Sequence, residues 1–146
     1  MDFLTPDERS VAMAKVRGKD TTPEMTVRRA IWRLGYRYRL HPAELPGRPD
    51  IVLPRHRLTI FVHGCFWHRH EGCRRATWPK SNTAFWADKF ATNIARDRRK
   101  EAALAAAGWR VFTIWECETL SVERLHTRLA EIMPPRRGDR RVRHHE

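Results

Sequence analysis

Asp50-Ile-Val-Leu-Pro-Arg-His-Arg-Leu-Thr-Ile-Phe-Val-His63 runs straight into Gly64-Cys-Phe-Trp-His-Arg-His-Glu-Gly-Cys73. The first part holds two short apolar runs, 50–53 and 58–63, around the proline-led turn Pro54-Arg-His-Arg57, and so predicts a β-hairpin. Pairing Leu53 with Leu58 puts Asp50 opposite Phe61, beside Val62 and His63, and opposed side chains in an antiparallel pair stand about 5 Å apart. A carboxylate and the histidine end of the next strand should therefore meet at one edge of a sheet. From His63 onward, three histidines and two of the three cysteines fall within eleven residues, next to the adjacent aromatics Phe66 and Trp67. Imidazoles and thiols crowded into a loop have little to pack against, but they are the preferred ligands of zinc.

Upstream of the hairpin, Thr22-Pro-Glu24 signals a helix start, and Met25, Val27, Ile31, Trp32 and Leu34 give it an apolar face that Gly35 ends. Glu24 then sits in the first turn, where favourable interaction with the helix dipole suffices to explain it. Tyr36-Arg-Tyr-Arg-Leu40 alternates as a strand, and His41 to Pro49 is a proline-rich loop. Nearer the start, Thr5-Pro-Asp-Glu8 reads as a capping box opening a helix that fades near Gly18. Its Arg9, Lys15 and Arg17, with Lys19 beyond, suit either a phosphate backbone or a solvated surface.

Downstream, the irregular stretch 64–82 gives way to a long helix over 83–107, with Phe85, Trp86, Phe90, Ile94 and Leu104 as apolar positions and Gly108 as its stop. Trp109 to Trp115 is a strongly apolar strand, and helical spacing resumes at Val122, Leu125, Leu129 and Ile132. The tail, Pro134 to Glu146, carries five arginines and almost nothing apolar, which predicts disorder and attraction to DNA. These elements describe an α/β domain with a mixed sheet over residues 1–133.

At 146 residues the chain has the length of one domain with a real core. Its 29 Lys and Arg against 17 acids leave a formal charge of +12, which favours nucleic acid first and an anionic surface second. No apolar run approaches the roughly 20 residues of a membrane helix. Asp2, Asp7 and Glu8 interrupt the start where a signal peptide would be apolar, so a cytoplasmic protein is expected. Three cysteines cannot all pair, and in a reducing compartment metal ligation or buried thiols are the alternatives.

Cys65 and Cys73, with His68 and His70 between them, and Cys117 just past the last apolar strand could close a Cys3His site. Such a closed tetrahedral site is structural, because no position is left for water. Asp50, in turn, could bind Mg²⁺ beside a phosphate. His63 and His68 could supply acid or base chemistry near neutral pH. Phe66-Trp67 and Phe85-Trp86 are either core or surfaces that wedge between bases, and Phe85 suits the core better.

Taken together, Gly47-Arg-Pro-Asp50, Phe61-Val-His-Gly-Cys-Phe-Trp-His68, Phe85-Trp86, Asn93-Ile-Ala-Arg-Asp-Arg-Arg99 and Gly108-Trp-Arg-Val…Trp-Glu-Cys117 resemble the very short patch repair (Vsr) DNA mismatch endonucleases. The likeness runs in order from about residue 9 to 130. It implies a restriction-endonuclease-like α/β fold, a central mixed sheet flanked by helices, and a structural zinc site. It also implies a Mg²⁺-dependent enzyme that nicks one strand of duplex DNA 5′ of the thymine in a T:G mismatch left by 5-methylcytosine deamination. Such a protein would work as a monomer away from membranes, with other mismatch-repair proteins as partners.

By position, the resemblance makes Asp50 the Mg²⁺ ligand, His63 and His68 the catalytic histidines, and Glu24 a carboxylate positioning His63 or metal-bound water. It assigns zinc to Cys65, His70, Cys73 and Cys117, and a DNA wedge to Phe66, Trp67 and Trp86. The basic segment 1–20 would close over the DNA. Two departures stand out. Val62 occupies a place commonly held by threonine, which leaves a backbone carbonyl as the metal ligand there. Glu71-Gly72 alters the spacing before Cys73 by one residue; His70 is kept as the ligand and His68 for chemistry. The alternatives are another restriction-like or structure-specific endonuclease, and a non-catalytic, zinc-stabilised DNA-binding module.

Overall fold

A computed structural model describes residues 20–135. The helix expected near residues 5–18 and the basic tail from residue 136 onward lie outside those residues. In chain order the elements are α1 (Thr22–Arg33), β1 (Arg39–Leu40), β2 (Ile51–Leu53), a 3-10 turn (Pro54–His56), β3 (Leu58–His63), α2 (Thr83–Ala106), β4 (Arg110–Trp115), a second 3-10 turn (Glu116–Thr119) and α3 (Val122–Ile132). The sheet order is β1-β2-β3-β4, antiparallel except for the parallel pair β3–β4. A mixed sheet flanked by helices matches the expected restriction-endonuclease-like arrangement.

The hairpin takes the expected register: Leu53 pairs with Leu58 and Ile51 with Ile60. Proline starts the turn, and Arg57 closes it in the left-handed region at φ +48°. Its guanidinium then reaches across to donate to the carbonyls of Ala107 (2.9 Å) and Gly108 (3.3 Å), placing a cation at the C-terminal end of α2. The strand expected over 36–40 shrinks to Arg39–Leu40, because β2 is only three residues long and offers little to pair with. Tyr36, freed from the ladder, donates its hydroxyl to the carbonyl of Pro134.

The two faces of the sheet divide the molecule. Leu58 and Ile60 of β3, with Ile51, Leu53 and Ile114, pack against Val27, Ala30 and Ile31 of α1 and Leu125, Leu129 and Ile132 of α3. By strand alternation Thr59, Phe61 and His63 face the other way. A second cluster, Trp86 and Phe90 of α2 with Phe66 and Trp67, lies apart from the first. On α1 and α3, two apolar positions read as core are surface: Trp32 is 51% exposed with the Arg37 guanidinium 3.5 Å over its ring, and Val122, the first residue of α3, is 75% exposed. Trp32 lies off the buried stripe of α1, whereas Val122 is in phase with Leu129 and is exposed because it sits at the very start of α3.

Candidate active site

The last residue pairs of the sheet position the site. Asp50 is one residue beyond the Ile51–Ile60 pair, which sets it across from Phe61, and the Val62 N–H donates to its Oδ2 at 2.8 Å. The His41 N–H donates to the Asp50 carbonyl (3.2 Å), extending the β1–β2 ladder by one step. That step swings the His41 ring between two carboxylates. Its Nε2 lies 3.1 and 3.0 Å from the two oxygens of Glu24 and 3.7 Å from Asp50 Oδ1. Burial pushes Asp50 up to about 6, opposed by the Val62 amide and reinforced by the charge of Glu24.

Glu24 is not an exposed dipole-compensating residue. The helix cap is Thr21, whose hydroxyl accepts from the Glu24 N–H (3.4 Å), and the Glu24 side chain is buried, paired with Arg28 and His41. His41 is thus the histidine that Glu24 contacts, whereas the resemblance implied a role in positioning His63 or metal-bound water. The ring of His63 stacks instead on that of His68, 3.8 Å between centroids and 5° from parallel. His68 Nδ1 lies 2.6 Å from Asp97 Oδ2, a carboxylate reaching over from α2.

Charge is unevenly divided in this stack. Burial, then the neighbouring His68, lowers His63 to about 3, so it is neutral at physiological pH. Burial alone would raise Asp97, but the hydrogen bond and charge of His68, with His63 and Lys100, hold it below the ordinary carboxylate value. Asp50, His63, His68, Asp97 and His41 line one cleft of about 580 Å³, with Val62 at its wall and Arg48 and Lys100 as cations.

A second constellation stands beyond the same strand ends. The parallel pairing of β3 and β4 runs in step from Leu58–Arg110 to His63–Trp115. Two residues past that last pair, Cys65 and Cys117 meet, and the Cys117 N–H donates to Cys65 Sγ at 3.4 Å. His70 Nδ1 is 3.6 Å from Cys65 Sγ and 3.5 Å from Cys117 Sγ, and ligand atoms of Cys65, His70, Cys73 and Cys117 all lie within 4.8 Å of one another. Sulfur at about 2.3 Å and nitrogen at about 2.0–2.1 Å from a tetrahedral zinc would be about 3.6 Å apart, so the spacing fits such an ion. Burial drives the Cys65 thiol up to about 12, a cost that a bound cation would offset. The His70 ring is braced by stacking on Trp115 at 4.2 Å.

The sequence model of the family described as DNA mismatch endonuclease Vsr matches residues 1–75. The chain is 52% identical over 134 residues to the Type II nicking enzyme V.XorIIP of Xanthomonas oryzae, covering 92% of this chain and 98% of that one. It is 41% identical over 128 residues to the DNA mismatch endonuclease Vsr of Escherichia coli, covering 84% and 81%. The chain belongs to the Vsr family.

In this Vsr-family chain two of the aromatic residues, Phe85 and Trp86, take different places from those expected. Phe66 and Trp67 are half-buried on the loop, whereas Trp86 is 1% exposed. Trp86 is a floor under Phe66, 5.7 Å between ring centroids, and not a free wedge. Its neighbour Phe85, read as the better core residue, is the exposed one at 54%. Helical phase is the reason: the inner stripe of α2 runs through Trp86, Phe90 and Asn93, a path that turns Phe85 outward.

Three site residues were not singled out from sequence: His41, Asp97 and Lys100. A signal for two of them exists. Trp86, Phe90, Asn93, Asp97, Lys100 and Leu104 recur at intervals of three and four, so Asp97 and Lys100 continue the apolar stripe of α2 toward the sheet. Among so many arginines, Asp97 reads as an ordinary surface ion-pair partner. His41 carries no comparable signal, since its place depends on how the β1–β2 ladder ends.

Proposed function

We propose that this Vsr-family chain is a DNA-nicking endonuclease that hydrolyses the phosphodiester bond 5′ of the thymine in a T:G mismatch, the product of 5-methylcytosine deamination. The observation that carries this reading is the meeting of Asp50 with His63, His68 and Asp97 in one cleft that also holds the cations Arg48 and Lys100. Asp97 at Nδ1 orients His68 so that Nε2 is the nitrogen free to take a proton from the attacking water. Neutral His63 backs the ring of His68 without adding a second charge. Glu24 acts one step removed, through His41, on the carboxylate of Asp50.

One Asp50 oxygen is fixed by the Val62 amide while the other remains on the cleft side, which suits a hard cation that keeps most of its own water. Asp50 and the Val62 carbonyl would hold Mg²⁺, whose charge would acidify a water and stabilise the departing oxygen. Cys65, His70, Cys73 and Cys117 would hold a structural zinc, and Phe66 and Trp67 would press on the distorted base step from a floor of Trp86 and Phe90.

The test is nicking of a labelled duplex with one central T:G pair, in Mg²⁺ and in EDTA. A single Mg²⁺-dependent nick on the thymine strand, absent from a T:A control, is expected. Equal cutting of both duplexes would remove the mismatch specificity. Tight binding without cutting would remove the enzyme assignment. Asp50→Ala should abolish the nick while circular dichroism stays unchanged.

A further inference from the structure

Lys100 is placed in the cleft by an unusual contact. Gly47, in the loop before β2, has φ +72°, and a Cβ added there would meet Lys100 Cβ and Cγ at 2.7 Å and Cδ at 3.1 Å. The loop backbone therefore lies directly on the aliphatic stem of the lysine. This contact fixes the stem between α2 and the loop that leads into Asp50. The lysine lines the cleft together with Asp50, His63, His68 and Asp97, and it makes no hydrogen bond or ion pair among the described residues. Its charge reaches the reacting groups. After burial and the adjacent His68 and Asp97, it is a further influence on His63, and after burial, His68 and His63 it is a further influence on Asp97.

A cation held by its stem but left unpaired at its tip is arranged for an anion that arrives from outside. The anion that chemistry at this cleft requires is a phosphate of the DNA backbone. We propose that Lys100 is a phosphate-binding residue of the active site, contacting the phosphate at the scissile position, with Gly47 serving as the brace that aims it. The inference rests on the nuclease reading of the same cleft. Negative charge grows on the phosphoryl oxygens as water adds, so an ammonium there should act on the chemical step as well as on binding.

The test uses the full-length protein and two variants. Lys100→Met keeps the stem against Gly47 and removes the charge, while Lys100→Arg keeps the charge. The first readout is DNA binding in EDTA, measured on T:G and T:A duplexes over a range of salt. Loss of one phosphate contact should reduce the slope of log K against log salt by about 0.9 in Lys100→Met, with Lys100→Arg close to wild type. The second readout is single-turnover nicking at saturating protein, where Lys100→Met should be slower by at least about tenfold with Tm unchanged. Wild-type slope and rate in Lys100→Met would overturn the proposal. Equal impairment of both variants would also overturn it, since that assigns the lysine a packing role. If wild type fails to nick any duplex, the nuclease reading falls, and the salt slope still decides whether Lys100 meets a phosphate.

Discussion

At the scale of single residues, the Asp97–His68 pair carries the sharpest consequence. Asn at position 97 would keep the shape but could hold the opposite tautomer of the imidazole, turning its lone pair away from the water. Asp97→Asn is therefore expected to slow single-turnover nicking by about 100-fold or more while leaving DNA affinity within about twofold. An unchanged rate would remove Asp97 from the site. His63 sets a pH dependence of stability. Its imidazole sits at about 3 in the folded chain and ordinarily at 6.5, so between those values the unfolded chain binds the extra proton. Stability should then fall as pH drops below about 6.5, and His63→Gln should flatten that slope. Urea midpoints taken across about pH 5 to 7.5 would reveal it, and identical slopes in both proteins would contradict the neutral, buried imidazole.

At the scale of elements, α3 shows how position along a helix separates core from surface within one apolar stripe. Leu129 is fully buried against α1 and the sheet, while Val122 is three-quarters exposed at the first turn. Leu129→Ala should cost about 2–5 kcal/mol of unfolding free energy, whereas Val122→Ala should stay within about 0.5 kcal/mol. Chemical denaturation of the two variants checks this, and comparable losses would mean that Val122 is covered. Helix α2 links the two halves of the site, since one inner stripe gives Trp86 and Phe90 to the aromatic loop and Asp97 and Lys100 to the cleft. On the proposed reading, a base step engaged by the loop and a phosphate in the cleft would therefore both be held by this one helix.

At the scale of the whole molecule, the cysteine and histidine cluster ties the loop after β3 to the end of β4, joining residues 52 positions apart. Chelation strong enough to remove a bound zinc should release about one ion per chain, loosen the aromatic loop and lower Tm, read by metal analysis together with near-ultraviolet circular dichroism. Release of metal with no change in the aromatic signal would separate the cluster from the loop's order. The sequence by itself determined the hairpin register, the long helix, the three cysteines of the candidate metal set and the meeting of Asp50 with the histidine end of β3, because these follow from local periodicity, turn chemistry and ligand type; the choice of His70 over His68 as the fourth ligand rested on the family resemblance. It could not place His41 between Glu24 and Asp50, bring Asp97 to His68, turn Trp86 inward and Phe85 outward, or set Lys100 on Gly47. Those relations depend on how a strand end, a helix phase and a loop are packed against one another, and such packing is settled only when distant segments share the two faces of one sheet.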